Sequence, residues 1–121
     1  MVATVFLVLW TAQPQPAPAR VPIVSVTGCL REMNPNTWML VNATDPVPST
    51  ANAPQRGEAP ATPPVGKNQF RLIGVSEFNL PRYKDQAVIV KGLHIAAQPV
   101  SRINITSVTT VSTSCPAPNP R

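Results

Sequence analysis

Sixteen prolines mark where this chain can form regular structure and where it cannot. Proline lacks a backbone N–H and fixes φ near about −65°, so it interrupts helices and is excluded from the interior of sheets. Most of the prolines fall in three stretches, at residues 14–22, 45–68 and 116–121. The remaining three, Pro35, Pro81 and Pro99, stand apart from one another. This distribution excludes a helical bundle and predicts proline-free strands between irregular segments.

Apolar and polar residues alternate in the proline-free segments, which is the pattern of half-buried strands. In the first segment Val24, Val26 and Leu30 share one face. In the last segment the apolar phase shifts, which predicts a bulge near Thr106–Ser107. The pattern predicts five strands, at residues 23–30, 37–44, 69–74, 87–95 and 102–111.

The order of the predicted elements indicates a fold class. Phe78, Leu80 and Tyr83 have a spacing that fits a short helix between the third and fourth strands. Five strands with one helix in that place give the element order of an OB-fold barrel. We therefore predict a mainly β domain over residues 23–115, a five-stranded OB-like barrel, with a small open β-sandwich as the alternative.

The proline-rich segment 45–68 separates the second and third predicted strands. It has no apolar periodicity, and loops of this length are uncommon in compact domains unless they are mobile or functional. We predict a solvated insertion here. A ligand lid or a partner-binding segment is the alternative.

The predicted strands carry motifs that resemble a group of small exported bacterial domains of OB type, largely uncharacterised. The motifs are Val26–Leu30, Phe70–Gly74, the pattern Leu80-x-x-Tyr83-x-Asp85-x-x-Val88-x-Val90-x-Gly92, and Ile105–Val108 followed by Ser114–Cys115. The group usually has glycine where Asp85 stands, and aspartate tolerates the left-handed backbone conformation better than most residues. The resemblance implies export and the OB fold, and it implies no activity.

The N-terminal residues bear on the cellular location of the protein. Residues 1–10 are largely apolar, too few to span a bilayer, and small residues follow them as in a secretory signal peptide. No basic residue precedes the run, so a short apolar strand or helix of a cytosolic protein is the alternative. We predict a signal peptide at 1–19, a tether remnant at 20–22, a disordered tail at 116–121, and a periplasmic or extracellular location.

The chain contains two cysteines, which can form one disulfide bond. In an exported chain, Cys29 and Cys115 would form one disulfide between the first and last strands, and two free thiols are the alternative. Val26–Cys29 also has the shape of a lipobox, which makes lipid anchoring at Cys29 a minor alternative. Without a Cys-x-x-Cys motif, we predict no redox role.

The residues that usually carry catalysis are few and scattered. His94 is the single histidine, and we predict that it is exposed or hydrogen-bonded rather than a metal ligand. The carboxylates fall in predicted turns, loops or the short helix; they are Glu32, Asp45, Glu58, Glu77 and Asp85. We therefore predict no catalytic residues, no metal site and no cofactor.

The net charge of +5 is spread along the chain, so no specific nucleic-acid site is indicated. OB barrels often bind ligands on the face of their second and third strands. The candidates there are Arg31, Trp38, Phe70 and Arg71, although both aromatic residues also suit a barrel core.

Three functional hypotheses follow from the sequence. The first is a non-enzymatic binding or envelope accessory module with a protein or glycan partner. The second is an oligonucleotide- or oligosaccharide-binding domain, and the third is a small exported enzyme. No segment is long and apolar enough to predict a transmembrane helix.

Overall fold

The computed structural model describes residues 3–5, 23–49, 51, 57, 59, 60 and 62–116. Within them the chain is mainly β, with two short 3₁₀ turns. The strands are β1 (Ile23–Asn34), β2 (Thr37–Ala43), β3 (Val47–Pro48), β4 (Asn68–Ile73), β5 (Ala87–Ile95) and β6 (Arg102–Ser112). Apart from the exposed residues 3–5, the predicted signal peptide lies outside the described residues, as do the tether and the tail beyond residue 116.

The five longer strands form a continuous ring of hydrogen-bonded pairs. The pairs are β1–β2, β2–β4, β4–β6, β6–β5 and β5–β1. Only the β4–β6 pair is parallel among the described strands, and the others are antiparallel. The ring closes at Cys29, which is paired with Val41 of β2 on one side and Ala87 of β5 on the other.

All five predicted strands are present, and the predicted bulge in β6 is confirmed. Lys91 pairs with Ser107 but Gly92 pairs with Ile105, so Thr106 is the extra residue on β6. Gly92 is required at this position because a Cβ atom there would lie 2.2 Å from the Asn104 carbonyl oxygen.

Alternation along the strands builds one apolar core inside the ring. On β1 and β2 the predicted inward residues are buried, and Leu30 and Leu40 are fully so. The core also includes Leu80, which follows β4 in the chain. The buried cluster consists of Val24, Val26, Leu30, Trp38, Leu40, Ala43, Phe70, Leu72, Leu80, Val88, Val90, Ile103 and Ile105.

The predicted short helix takes the form of two 3₁₀ turns, Val75–Glu77 and Leu80–Tyr83. Phe78 between them has an extended backbone, with φ −113° and ψ 126°. Pro81 lies in the first turn of the second segment, where its missing N–H costs no hydrogen bond. These turns place the Leu80 side chain in the core, where it is 1% exposed.

The segment predicted to be an irregular insertion contains a strand that the sequence pattern did not reveal. β3 extends the sheet beside β1, with Val47 opposite Ser25 and Pro48 opposite Val24. At the other end of the segment, the Gly66 N–H donates to the Asn42 carbonyl at 2.9 Å. Both ends of the 45–68 segment are therefore attached to neighbouring strands, while much of its middle lies outside the described residues.

Candidate functional site

The predicted disulfide is confirmed, and it fastens the point where the ring closes. Cys29 in β1 is bonded to Cys115, three residues beyond the end of β6, with Cα atoms 5.6 Å apart. Cys29 is 3% exposed and lies inside a paired strand. Lipid anchoring at Cys29 is therefore wrong for this structure, because its sulfur is already bonded.

The four residues predicted to form a ligand face do not share one surface. Trp38 and Phe70 are 5% and 4% exposed and belong to the core. Arg71 follows Phe70 in β4 and is exposed on the opposite face, because neighbouring side chains of a strand point to opposite sides. The two aromatic rings are thus unavailable as a stacking surface.

The outward positions instead bring three arginines into one line across four strands. Arg31 of β1 pairs with Met39 of β2, and Met39 pairs with Arg71 of β4. Arg71 in turn pairs with Arg102 of β6. We call these four residues the arginine row. Neighbouring strands lie about 4.8 Å apart, so Arg71 and Arg102 are side by side and Arg31 is two strands away.

The arginines of the row differ in their partners. The Arg31 Nη1 donates to Asp85 Oδ1 at 2.6 Å, and both side chains are about half exposed. Arg71 and Arg102 are exposed, and neither forms an ion pair within the described part of the chain. Like charges directly opposite each other on a sheet are destabilising. A negative group seated between Arg71 and Arg102 would relieve this repulsion.

Of the four residues in the row, Arg31 and Arg71 were predicted from the sequence as ligand-face candidates, and Met39 and Arg102 were not. Met39 could have been found, because its outward position in β2 follows from the alternation with Trp38 and Leu40. Arg102 could not, because its place beside Arg71 depends on the parallel register of β4 and β6. These strands are separated in the chain by both 3₁₀ turns and β5.

Two carboxylates, Glu32 and Glu77, border a groove of about 400 Å³. Trp38 and Phe78 also border it. Glu77 is exposed, and the Glu32 side chain is 30% exposed, with its Oε1 atom 3.7 Å from Lys84 Nζ. When two carboxylates share acid and base roles, one of them usually lies in a buried, apolar environment. Neither of these two carboxylates is buried in that way.

His94 is half-buried, and its ring meets Phe70 edge-on with centroids 5.7 Å apart. Its Nε2 atom is buried and has no hydrogen-bond partner in the described structure. The prediction of an exposed or hydrogen-bonded histidine is therefore wrong for this atom, because the ring packs against the core. The described residues contain no group of three or more metal-ligating side chains.

None of the described helices is long and apolar enough to cross a membrane. Comparison of the chain with protein-family models, curated proteins and solved structures finds no match. The fold and the site together define a mainly β, disulfide-linked domain that presents a row of arginines on its outward face.

Proposed function

We propose that this protein is an exported, non-enzymatic binding module of OB-like barrel architecture, and that its arginine row binds an anionic polysaccharide. The observation that carries the proposal is the pair of exposed, adjacent arginines, Arg71 and Arg102, on neighbouring strands.

The pairing scheme supports the barrel architecture. A small barrel closes when the series of strand pairs returns to its starting strand, so that no strand of the ring keeps an open edge. The series from β2 through β4, β6 and β5 to β1 returns to its start because β1 also pairs with β2. The element order and the motifs that resemble exported OB-type domains support the same interpretation.

The covalent chemistry supports export. Disulfides form and persist in oxidising compartments and are rare in the cytosol. The Cys29–Cys115 bond joins residues 86 positions apart, so it constrains nearly the whole described domain. An apolar N-terminal run of the length found in signal peptides points the same way.

The chemistry of the row favours an acidic polymer as the ligand. A guanidinium group is planar, stays charged and can donate two parallel hydrogen bonds to a carboxylate, sulfate or phosphate group. Two such groups side by side can hold one acidic group from both sides. Met39 continues the row beyond this pair, which suits a ligand longer than a single ion.

The side chains of the row favour a polysaccharide over a single-stranded nucleic acid. Proteins that bind single strands stack bases on exposed aromatic side chains. Trp38 and Phe70 are buried, and the row itself contains arginine and methionine only. An acidic polysaccharide can be held through its sulfate or carboxylate groups, which guanidinium groups bind directly.

Replacing either arginine of the adjacent pair is expected to weaken polysaccharide binding by roughly ten-fold, because a hydrogen bond to a charged group is lost. The variants are Arg71→Gln and Arg102→Gln, measured by titration calorimetry with heparin, which is sulfated, and polygalacturonate, which is carboxylated. The control is Arg82→Gln, which removes the same charge from an exposed residue of the second 3₁₀ turn. It should bind within about two-fold of the wild type.

Equal losses in all three variants would show that net charge alone attracts the polymer, and would contradict the proposal. Tighter binding to a 12-nucleotide oligothymidylate than to both polysaccharides would favour the oligonucleotide hypothesis instead. The preference between heparin and polygalacturonate identifies the acidic group.

A further inference from the structure

The Asp85 side chain is held next to the arginine row by the backbone. The Asp85 N–H donates to the Leu30 carbonyl at 2.8 Å, and the Leu30 N–H donates to the Gln86 carbonyl at 3.0 Å. Asp85 has φ 65°, in the left-handed region. These bonds fasten the turn before β5 to the β1 residue adjacent to Arg31, so the carboxylate reaches Arg31 without a change in the backbone.

The Arg31–Asp85 pair is of minor importance for stability. Its side chains are 43% and 56% exposed, and ion pairs of this kind are screened by water and salt. The Arg31–Asp85 pair matters more for ligand binding than for stability, because Asp85 neutralises Arg31 at one end of the row. An acidic group that approaches Arg31 has to displace a carboxylate already in place or lie beside it.

We propose, on the basis of the proposed function, that Asp85 determines the specificity of the arginine row. It acts as an internal anion that occupies Arg31 and confines external acidic groups to Arg71 and Arg102. Specific interfaces use repulsive elements of this kind to discriminate between ligands, together with attractive ones. The row then favours polymers that need only the Arg71–Arg102 pair over polymers whose binding also requires an acidic group at Arg31.

The test is the variant Asp85→Asn, which removes the charge and keeps the shape of the side chain. Asparagine also tolerates the left-handed backbone at this position. The matched control is Glu77→Gln, which removes the same charge from an exposed residue of the first 3₁₀ turn. The probe is a fluorescent 12-nucleotide oligothymidylate, used as a dense polyphosphate at several salt concentrations.

We expect Asp85→Asn to bind this probe roughly five-fold more tightly than the wild type, the size of one exposed charge contact. The slope of log K against log salt should steepen by about 0.7, because one more phosphate is engaged. Glu77→Gln should match the wild type in slope. The double variant Arg31→Gln/Asp85→Asn should return to the wild-type slope, because the added contact requires Arg31.

Equal gains for Asp85→Asn and Glu77→Gln would overturn the inference, as would a gain that persists in the double variant. If heparin binding depends on Arg71 and Arg102 but Asp85→Asn matches the wild type, the inference fails and the proposed function stands. If neither the wild type nor Asp85→Asn binds heparin or the oligothymidylate, the inference and the proposed function are both rejected. Thermal unfolding of each variant confirms that the fold is retained.

Discussion

Reduction of the Cys29–Cys115 disulfide is expected to lower the free energy of unfolding by about 4.5 kcal/mol. The bond closes a loop between residues 86 positions apart. In the chain-entropy model, a loop of this size removes that much conformational freedom from the unfolded chain. Small domains have free energies of unfolding of roughly 5–15 kcal/mol, so the loss is a large share of the total. Urea unfolding with and without reductant measures it.

The double variant Cys29→Ala/Cys115→Ala, unfolded without reductant, is the control for effects of the reductant. It should show a loss of similar size. A loss below about 1 kcal/mol in both experiments would show that the bond does not constrain the unfolded chain, and would contradict this account of the disulfide.

Truncation of Leu40 to alanine is expected to destabilise the protein by about 3 kcal/mol. Leu40 is 0% exposed and lies between Leu30 of β1 and Phe70 of β4 in the sheet register. Removing its side chain loses apolar burial and leaves a cavity at the centre of the core. Urea unfolding again gives the measurement.

The neighbouring variant Met39→Ala provides the matched control. Met39 is half-buried on the outward face of the same strand, so its truncation should cost less than about 1 kcal/mol. If Met39→Ala costs more than Leu40→Ala, the inward and outward faces of β2 are exchanged. Every cross-strand pair in the arginine row would then be wrong, because a shift of one residue exchanges the faces.

The strands could be predicted because their signal is local. Val24, Val26 and Leu30 alternate with polar neighbours, and each inward position is buried as expected. Trp38 and Phe70 follow the same rule, which is why they fill the core rather than a ligand face. The disulfide could also be predicted, because a chain with two cysteines allows one intramolecular pairing.

The features that could not be predicted from the sequence depend on contacts between segments that are distant in the chain. β3 has only two residues, too few for a periodic pattern, and it exists because β1 offers it a pairing partner. Lys91 of β5 is 1% exposed and lies opposite Ser107, and no local sequence pattern marks a buried lysine. The arginine row arises from the register of four strands, and no local pattern links Arg71 to Arg102.

The most direct test of anion binding at the arginine row is an NMR titration of the ¹⁵N-labelled protein with a heparin oligosaccharide. We expect saturable shifts that are largest at the backbone amides and guanidinium N–H groups of Arg71 and Arg102, with smaller shifts at Met39. Shifts confined to the groove between Glu32 and Glu77, or no saturable shifts at all, would contradict it.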